Sequence, residues 1–205
     1  TKTRTSGETQ TQEKKPIFKG ITVPTAIEQP TIKTYSRAAE LPKKIDVLVV
    51  GVSTGGPNAL AKFIPFLPEN LDVPVLLVQH MPPMFTKSLA EHLNSKSKLT
   101  VVEASDKDVL EKNKVYIAPG GKHMILDKEN NSIFLKMDDS PPVNSCKPSV
   151  DKLFESIPHV YRGNILSVIM TGMGADGLNG VKTLKRAGCY SITQTADSCV
   201  EYGMP

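Results

Sequence analysis

Three residues whose side chains can attack a carbonyl group or move a proton each come shortly after a run of apolar residues. They are Ser53, His80 and Asp176. The runs before them are IDVLVV (45–50), VPVLLVQ (73–79) and ILSVIM (165–170). A serine hydroxyl is a poor nucleophile near neutral pH and needs an adjacent base, most often a histidine. This set of residue types therefore predicts nucleophilic acyl transfer.

Ser53 lies in the pattern G-x-S-x-G, formed by residues 51–55. This pattern is typical of a nucleophile elbow, in which a sharp strand-to-helix turn lifts the serine hydroxyl clear of the backbone. The glycines are expected because a side chain two positions from the serine would clash in such a turn. The alternative is an ordinary tight turn in which the serine only caps the following helix.

His80 is expected to act as the base, and a carboxylate from Asp176 to bind its Nδ1–H and stabilise the imidazolium. The alternatives are a histidine merely hydrogen-bonded at a strand end and an aspartate that caps the next helix. An oxyanion hole requires backbone N–H groups near the nucleophile. The N–H of Thr54 and that of Met173, in the glycine-rich loop TGMGADG, are the candidates.

The elements that must position these residues alternate between buried strands and amphipathic helices from residue 45 onward. This alternation predicts an α/β fold with a doubly wound, mainly parallel sheet flanked by helices. An antiparallel hairpin is predicted at about 122–137, around DKENN. In such sheets ligands bind at the carboxyl ends of the strands, so the three residues are expected to meet at one edge.

Charge and composition limit the function classes. The first 44 residues carry nine of the 25 Lys and Arg residues but only four of the 21 Asp and Glu residues. We interpret residues 1–44 as a linker or tail and residues 45–205 as the folded domain. The domain is nearly neutral, which argues against nucleic-acid binding. No apolar run approaches the roughly 20 residues of a membrane span.

Cysteine and histidine usage points to a cytoplasmic protein without a metal or cofactor. The three cysteines are odd in number and widely spaced, as free thiols in a reducing compartment would be. No cluster of His, Cys, Asp and Glu has metal-ligand spacing along the chain. Of the remaining histidines, His92 and His159 carry little weight. His123 follows a strand and a glycine-rich turn, from which it could approach the same sheet edge, although a site role is the minor interpretation.

A nucleotide-binding module that uses GVSTGG as a phosphate cradle is the alternative from another class. The loop lacks the Lys-Ser/Thr ending of a P-loop, and Ser53 stands where a dinucleotide fold has its second glycine. The second strand ends in His80. A third possibility is a catalytically silent module that only docks to another protein.

Six blocks of the sequence resemble the catalytic domain of the chemotaxis receptor methylesterase family, over about residues 45–205. The blocks are VVGVSTGGP, LLVQHMPPMFTKSLAEHL, VYIAPGGKHM, PSVDKLFES, VIMTGMGADG and EYGMP. The resemblance implies a serine hydrolase that demethylates glutamate methyl esters of bacterial chemoreceptors and deamidates particular receptor glutamines. It implies a catalytic triad of Ser53, His80 and Asp176, with Met173 as oxyanion donor and Thr54 as a second candidate.

The resemblance also implies partners beyond the substrate. In that family a receiver domain of two-component signalling, served by a histidine kinase, precedes the catalytic domain through a linker, and its phosphorylation relieves a block of the active site. Residues 1–44 would be that linker, without the receiver domain. The family continues into a further helix where this chain stops, so a domain cut short at its C-terminus is expected. Helix 82–94 and hairpin 122–137 are expected to flank the site.

Overall fold

The structure of the chain is a computed structural model. It describes Thr1 and residues 44–205, apart from positions 131, 162 and 163. The predicted linker or tail at residues 1–44 therefore falls almost entirely outside the described residues.

The described residues contain a six-stranded parallel sheet and a separate antiparallel pair. In chain order the strands are β1 (Val47–Val52), β2 (Val75–Gln79), β3 (Thr100–Glu103), β4 (Lys114–Ile117), β5 (His123–Glu129), β6 (Ser132–Asp138), β7 (Ile165–Ile169) and β8 (Tyr190–Thr193). The sheet order is β3-β4-β2-β1-β7-β8, and β5 pairs with β6. Because the chain extends from β1 first to one side and later to the other, the strand order reverses at β1. Such a switch point opens a crevice at the carboxyl ends of the strands.

Helices cover both faces of the sheet. They are α1 (Gly56–Phe63), α2 (Phe85–Asn94), α3 (Val150–Ser156) and α4 (Leu178–Arg186), with short 3₁₀ turns at Ile64–Phe66, Ile157–His159 and Ala196–Ser198. Alternate residues of β1 enter opposite cores. Val49 packs with α3, α4 and the hairpin, whereas Val50 packs with α1 and α2. Burial on both faces explains why this strand is apolar without interruption.

The architecture confirms the predicted α/β fold with a doubly wound parallel sheet and a hairpin. The predicted strand 45–50 begins two residues later and runs through Val52, which brings Gly51 inside the strand. The predicted helix 82–94 begins only at Phe85. Among the described residues, no helix combines the length and the apolar character needed to cross a bilayer.

Candidate active site

Ser53 and His80 are neighbours because their strands are neighbours in register. Val52 pairs with Gln79 across β1 and β2, so the next residue of each strand leaves the sheet at the same level. The N–H of His80 donates to the carbonyl of Val52 at 3.1 Å. Both side chains line one open cleft of about 440 Å³ at this edge. A larger cleft of about 630 Å³, around Asp46 and Val73, lies at the amino ends of the strands and contains no candidate residue.

The turn that carries Ser53 has the glycine geometry that the sequence predicts. Gly55 adopts φ 81°, in the left-handed region that favours glycine, and α1 begins at the next residue. A Cβ atom on Gly51 would lie 2.5 Å from Cγ1 of Val150, so glycine there allows α3 to approach β1. Ser53 does not cap α1. The N-cap residue of this helix is Gly55, and no side chain forms a capping hydrogen bond there.

The loop after β7 passes directly beside Ser53. The Ser53 N–H donates to the carbonyl of Thr171 at 2.9 Å. A Cβ atom on Gly172 would lie 2.8 Å from the Cβ of Ser53. Among the described residues, no acceptor takes a hydrogen bond from the N–H groups of Thr54 and Met173. Both groups therefore remain candidates to bind an oxyanion, as expected from their positions next to the nucleophile.

The imidazole of His80 is paired with the carboxylate of Asp176. The distance from Nε2 to Oδ2 is 2.7 Å, although the two residues are 96 positions apart in the chain. Our expectation that the aspartate binds Nδ1 is wrong, because the ring turns its far nitrogen, Nε2, toward the carboxylate. Nδ1 is consequently the nitrogen that is left to accept a proton. The Ser53 hydroxyl forms no hydrogen bond with any described residue, and such contacts are often loose without substrate.

The carboxylate of Asp176 accepts hydrogen bonds from the start of α3, although the helix that follows Asp176 in the chain is α4. It is 3% exposed. Its Oδ1 accepts from Ser149 Oγ at 2.8 Å and from the N–H of Asp151 at 3.1 Å, and its Oδ2 accepts from the N–H of Val150 at 2.7 Å. Those donors begin α3, whereas α4 has Gly177 as its N-cap residue. The alternative that Asp176 only caps the following helix is therefore wrong.

These hydrogen bonds decide the charge of Asp176. Burial by itself raises the pKa of the carboxyl, but the hydrogen bonds from His80 and from the start of α3 outweigh it and hold the pKa below its ordinary value. The carboxylate therefore stays ionised at neutral pH. An ionised aspartate next to Nε2–H fixes the tautomer that leaves Nδ1 unprotonated, and it stabilises the imidazolium once that nitrogen takes a proton.

Asp151 was missed in the sequence analysis and mirrors Asp176. It is 2% exposed and lies in α3. Its Oδ1 accepts from the N–H groups of Gly177 and Gly180, at 2.9 and 2.8 Å, at the beginning of α4. The start of α3 thus donates hydrogen bonds to Asp176, which precedes α4. The start of α4 in turn donates hydrogen bonds to Asp151, which lies in α3. The sequence signal was an acidic residue in the first turn of a predicted helix. Such a residue is normally explained by a favourable interaction with the N-terminus of the same helix.

Gln79 was also missed and joins the Ser53 loop to His80. Its Nε2 donates to the carbonyl of Ser53 at 3.1 Å and to that of His80 at 2.9 Å. Its Oε1 is buried and has no hydrogen-bond partner among the described residues. A Cβ atom on Gly56 would overlap this side chain, so the glycine after the turn makes room for it. A polar residue at the end of an apolar strand was the available signal.

Cys146 lies against the imidazole of His80 and was likewise not expected. Its Sγ is 3.5 Å from Nδ1 of His80. Burial, followed by the negative charge of Asp176, raises the pKa of this thiol. His80, Cys146 and Asp176 each offer a potential metal-ligand atom, and these atoms lie within 4.8 Å of one another. The three residues come from separate loops and have no regular spacing, so their grouping could not be recognised from the sequence.

His123 does not reach the cleft. It is fully buried; its Nδ1 accepts from the N–H of Ser149 at 3.1 Å, and its Nε2 lies 3.1 Å from the carbonyl of Pro141. The alternative in which it reaches the edge with Ser53 and His80 is therefore wrong. It stabilises the segment before α3, on which Asp176 depends. His92 is exposed on α2, as expected.

Comparison with known proteins accounts for this combination of fold and site. The family model described as CheB methylesterase matches residues 48–205. The chain belongs to the CheB methylesterase family. In the solved crystal structure of the CheB methylesterase catalytic domain from Thermotoga maritima, the matching chain is 42% identical, with a TM-score of 0.77. The match covers 79% of this chain and 86% of that one.

Relatives within the family carry the name protein-glutamate methylesterase/protein-glutamine glutaminase. The protein of that name from Desulfotalea psychrophila is 48% identical over 176 residues, which are 85% of this chain and 48% of that protein. The one from Archaeoglobus fulgidus is 47% identical over 164 residues, covering 80% and 47% of the two chains. The chain thus spans about half the length of these relatives.

Proposed function

We propose that this chain is a serine hydrolase that removes methyl groups from glutamate methyl esters of bacterial chemoreceptors and deamidates receptor glutamines. The observation that carries the proposal is the 2.7 Å pair between His80 and a buried Asp176, at the edge where Ser53 leaves the neighbouring strand. The names of the relatives support the two activities. Chemotactic adaptation is the process in which such a reaction acts.

The first half-reaction forms an acyl-enzyme. Nδ1 of His80 takes the proton from Ser53 Oγ while the oxygen attacks the γ-carbonyl carbon of the glutamyl ester. Nε2–H remains bonded to Asp176, which stays ionised. The N–H groups of Thr54 and Met173 bind the oxyanion. The tetrahedral intermediate collapses, the C–O bond to the methoxy group breaks, and Nδ1 returns the proton so that methanol leaves.

The second half-reaction restores the enzyme. Nδ1 accepts a proton from water, whose oxygen attacks the acyl carbon, and it then returns that proton to Ser53 Oγ as the acyl bond breaks. The product is a glutamate side chain. With a glutamine substrate the same sequence releases ammonia in place of methanol, since the leaving nitrogen takes the proton from Nδ1.

The domain assignment and the partners form part of the proposal. We assign residues 45–205 to the catalytic domain and residues 1–44 to a linker from a receiver domain, for which the greater length of the relatives leaves room. The substrate is a methyl-accepting chemoreceptor, and the receiver domain and its histidine kinase are the regulatory partners. We place the protein in the cytoplasm, which suits three cysteines that form no disulfide among the described residues.

Replacement of the nucleophile tests the proposal. Ser53→Ala is expected to lower kcat by several orders of magnitude, because only oxyanion and binding contributions remain. Methanol release from methylated receptor gives the rate, and fluorophosphonate labelling with mass spectrometry gives the modified residue. His92→Ala, at an exposed position, is the matched control. Methanol release close to the wild-type rate by Ser53→Ala would overturn the assignment.

The same labelling separates the alternatives. The nucleotide-binding module predicts tight dinucleotide binding without labelling of Ser53, and the comparisons give it no support. A silent docking module predicts receptor binding without ester hydrolysis. Labelling of Ser53 by the fluorophosphonate, together with methanol release, excludes both.

A further inference from the structure

A tight turn presents the thiol of Cys146 to His80. Val143 and Cys146 exchange two backbone hydrogen bonds, of 3.1 and 2.8 Å. The two residues between them, Asn144 and Ser145, both have positive φ, 50° and 62°. Such a pair of left-handed residues forms a two-residue hairpin turn with one defined backbone shape. The turn therefore fixes where the Cys146 side chain begins.

The distance between the sulfur and the ring nitrogen matches a tetrahedral metal site. Zinc binds cysteine sulfur at about 2.3 Å and histidine nitrogen at about 2.0–2.1 Å. Two such bonds at the tetrahedral angle place the donor atoms roughly 3.6 Å apart. Cys146 Sγ and His80 Nδ1 are 3.5 Å apart. This separation suits an ion that bonds to both atoms.

The other ring nitrogen already has the partner that a zinc-bound histidine requires. A histidine that ligates a metal usually donates its second N–H to a carboxylate, which fixes the tautomer and makes the ligand more basic. Nε2 of His80 is bonded in this way to Asp176. Asp176 itself is occupied by donors from the start of α3, so its role is to orient the ring and not to bind the ion.

We propose that Zn²⁺ binds between Cys146 Sγ and Nδ1 of His80 and reversibly switches the hydrolase off. Binding forms one Zn–S and one Zn–N bond, and the thiol proton passes to solvent. Two water molecules fill the other two tetrahedral positions. Nδ1 then has no lone pair for the serine proton. The inhibition rests on the proposed function, whereas the metal site itself does not.

Metal binding is tested first without reference to activity. Co²⁺ added to the purified chain is expected to give a thiolate-to-metal charge-transfer absorption band, and Zn²⁺ in excess should abolish it. Cys146→Ser is expected to remove the band and to raise the Kd for Zn²⁺ at least roughly tenfold. Cys199→Ser is the matched control, because Cys199 is another half-buried free cysteine. A band that persists in Cys146→Ser would overturn the proposal.

Inhibition is tested on the same proteins by fluorophosphonate labelling of Ser53, with and without Zn²⁺. Zinc is expected to slow labelling of the wild type and of Cys199→Ser, and a chelator should restore it. For Cys146→Ser and Cys146→Ala, the labelling rate with Zn²⁺ is compared with the labelling rate of the same variant without metal. Both variants should lose at least nine-tenths of the protection that zinc gives the wild type. Labelling without metal also shows that these variants retain a folded site. Equal protection in the Cys146 variants, or no protection of the wild type despite the cobalt band, would overturn the inhibition.

Discussion

Asp176 and Asp151 have the same side chain and nearly the same burial, yet the structure uses them differently. Asp176 accepts hydrogen bonds from the first turn of α3, and Asp151 accepts hydrogen bonds from the first turn of α4. Only Asp176 also contacts an imidazole. On its second oxygen Asp151 meets instead the side-chain amides of Asn144 and Asn179, at 3.2 and 3.4 Å. Burial and helix capping are thus common to both aspartates, and contact with the imidazole of His80 is what distinguishes Asp176.

The largest expected effect comes from replacing Asp176, the member of this pair that contacts His80. In Asp176→Asn, both carboxylate oxygens face donors, so an amide NH₂ group meets a donor in either orientation. The imidazole also loses the anion that fixes its tautomer. We expect kcat for ester hydrolysis to fall roughly 10⁴-fold. Methanol release measures it. A loss below tenfold in a folded variant would show that the carboxylate does not assist His80.

The second effect is on stability and concerns the other aspartate. Asp151→Ala leaves the N–H groups of Gly177 and Gly180 buried without an acceptor, which we expect to lower the free energy of unfolding by about 2–4 kcal/mol. Asp151→Asn keeps that acceptor and can pair its NH₂ group with a rotated amide of Asn144 or Asn179. We expect it to cost about 1 kcal/mol or less.

Urea unfolding of the two Asp151 variants measures this difference, and ester hydrolysis at a temperature where both are folded gives the activity. We expect Asp151→Asn to retain most of the wild-type kcat. Equal destabilisation by alanine and asparagine, or a loss of activity as large as that of Asp176→Asn, would remove the distinction between the two aspartates.

The smallest effect is the dependence of stability on pH. The folded-state pKa of Asp176 lies below its ordinary value of 3.8, so its ionised form contributes stability above the unfolded-state pKa. That contribution is lost as the pH falls through the folded-state pKa. The difference in unfolding free energy between wild type and Asp176→Asn should therefore be largest at neutral pH and shrink below about pH 4. A difference that stays constant with pH would contradict the depressed pKa.

Much of the fold was predictable because the central strands are buried on both faces. Residues 47–50 and 75–78 are apolar without interruption, and alternation with helices is enough to indicate a parallel sheet. The same logic placed Ser53, His80 and Asp176 at one edge, since the carboxyl ends of parallel strands meet there. These predictions use only local pattern and sheet direction.

What could not be predicted depends on side-chain direction and on contacts between loops. The sequence does not encode locally which ring nitrogen of His80 faces the carboxylate. The donors that bind Asp176 start a helix 25 to 27 positions earlier in the chain. Cys146 approaches His80 from 66 positions away through a turn with two left-handed residues. Neither secondary-structure propensity nor residue spacing indicates contacts between residues so far apart in the chain.

The orientation of the His80 ring also affects how accurately the base is placed. Rotation about the Cα–Cβ bond swings the whole ring, and Nε2, which is farther from Cβ, travels a longer arc than Nδ1. The hydrogen bond to Asp176 restrains Nε2, the atom that travels the longer arc. A small displacement of Nε2 therefore corresponds to a smaller displacement of Nδ1. In the mechanism that we propose, the proton is transferred at the ring nitrogen that this rotation moves less.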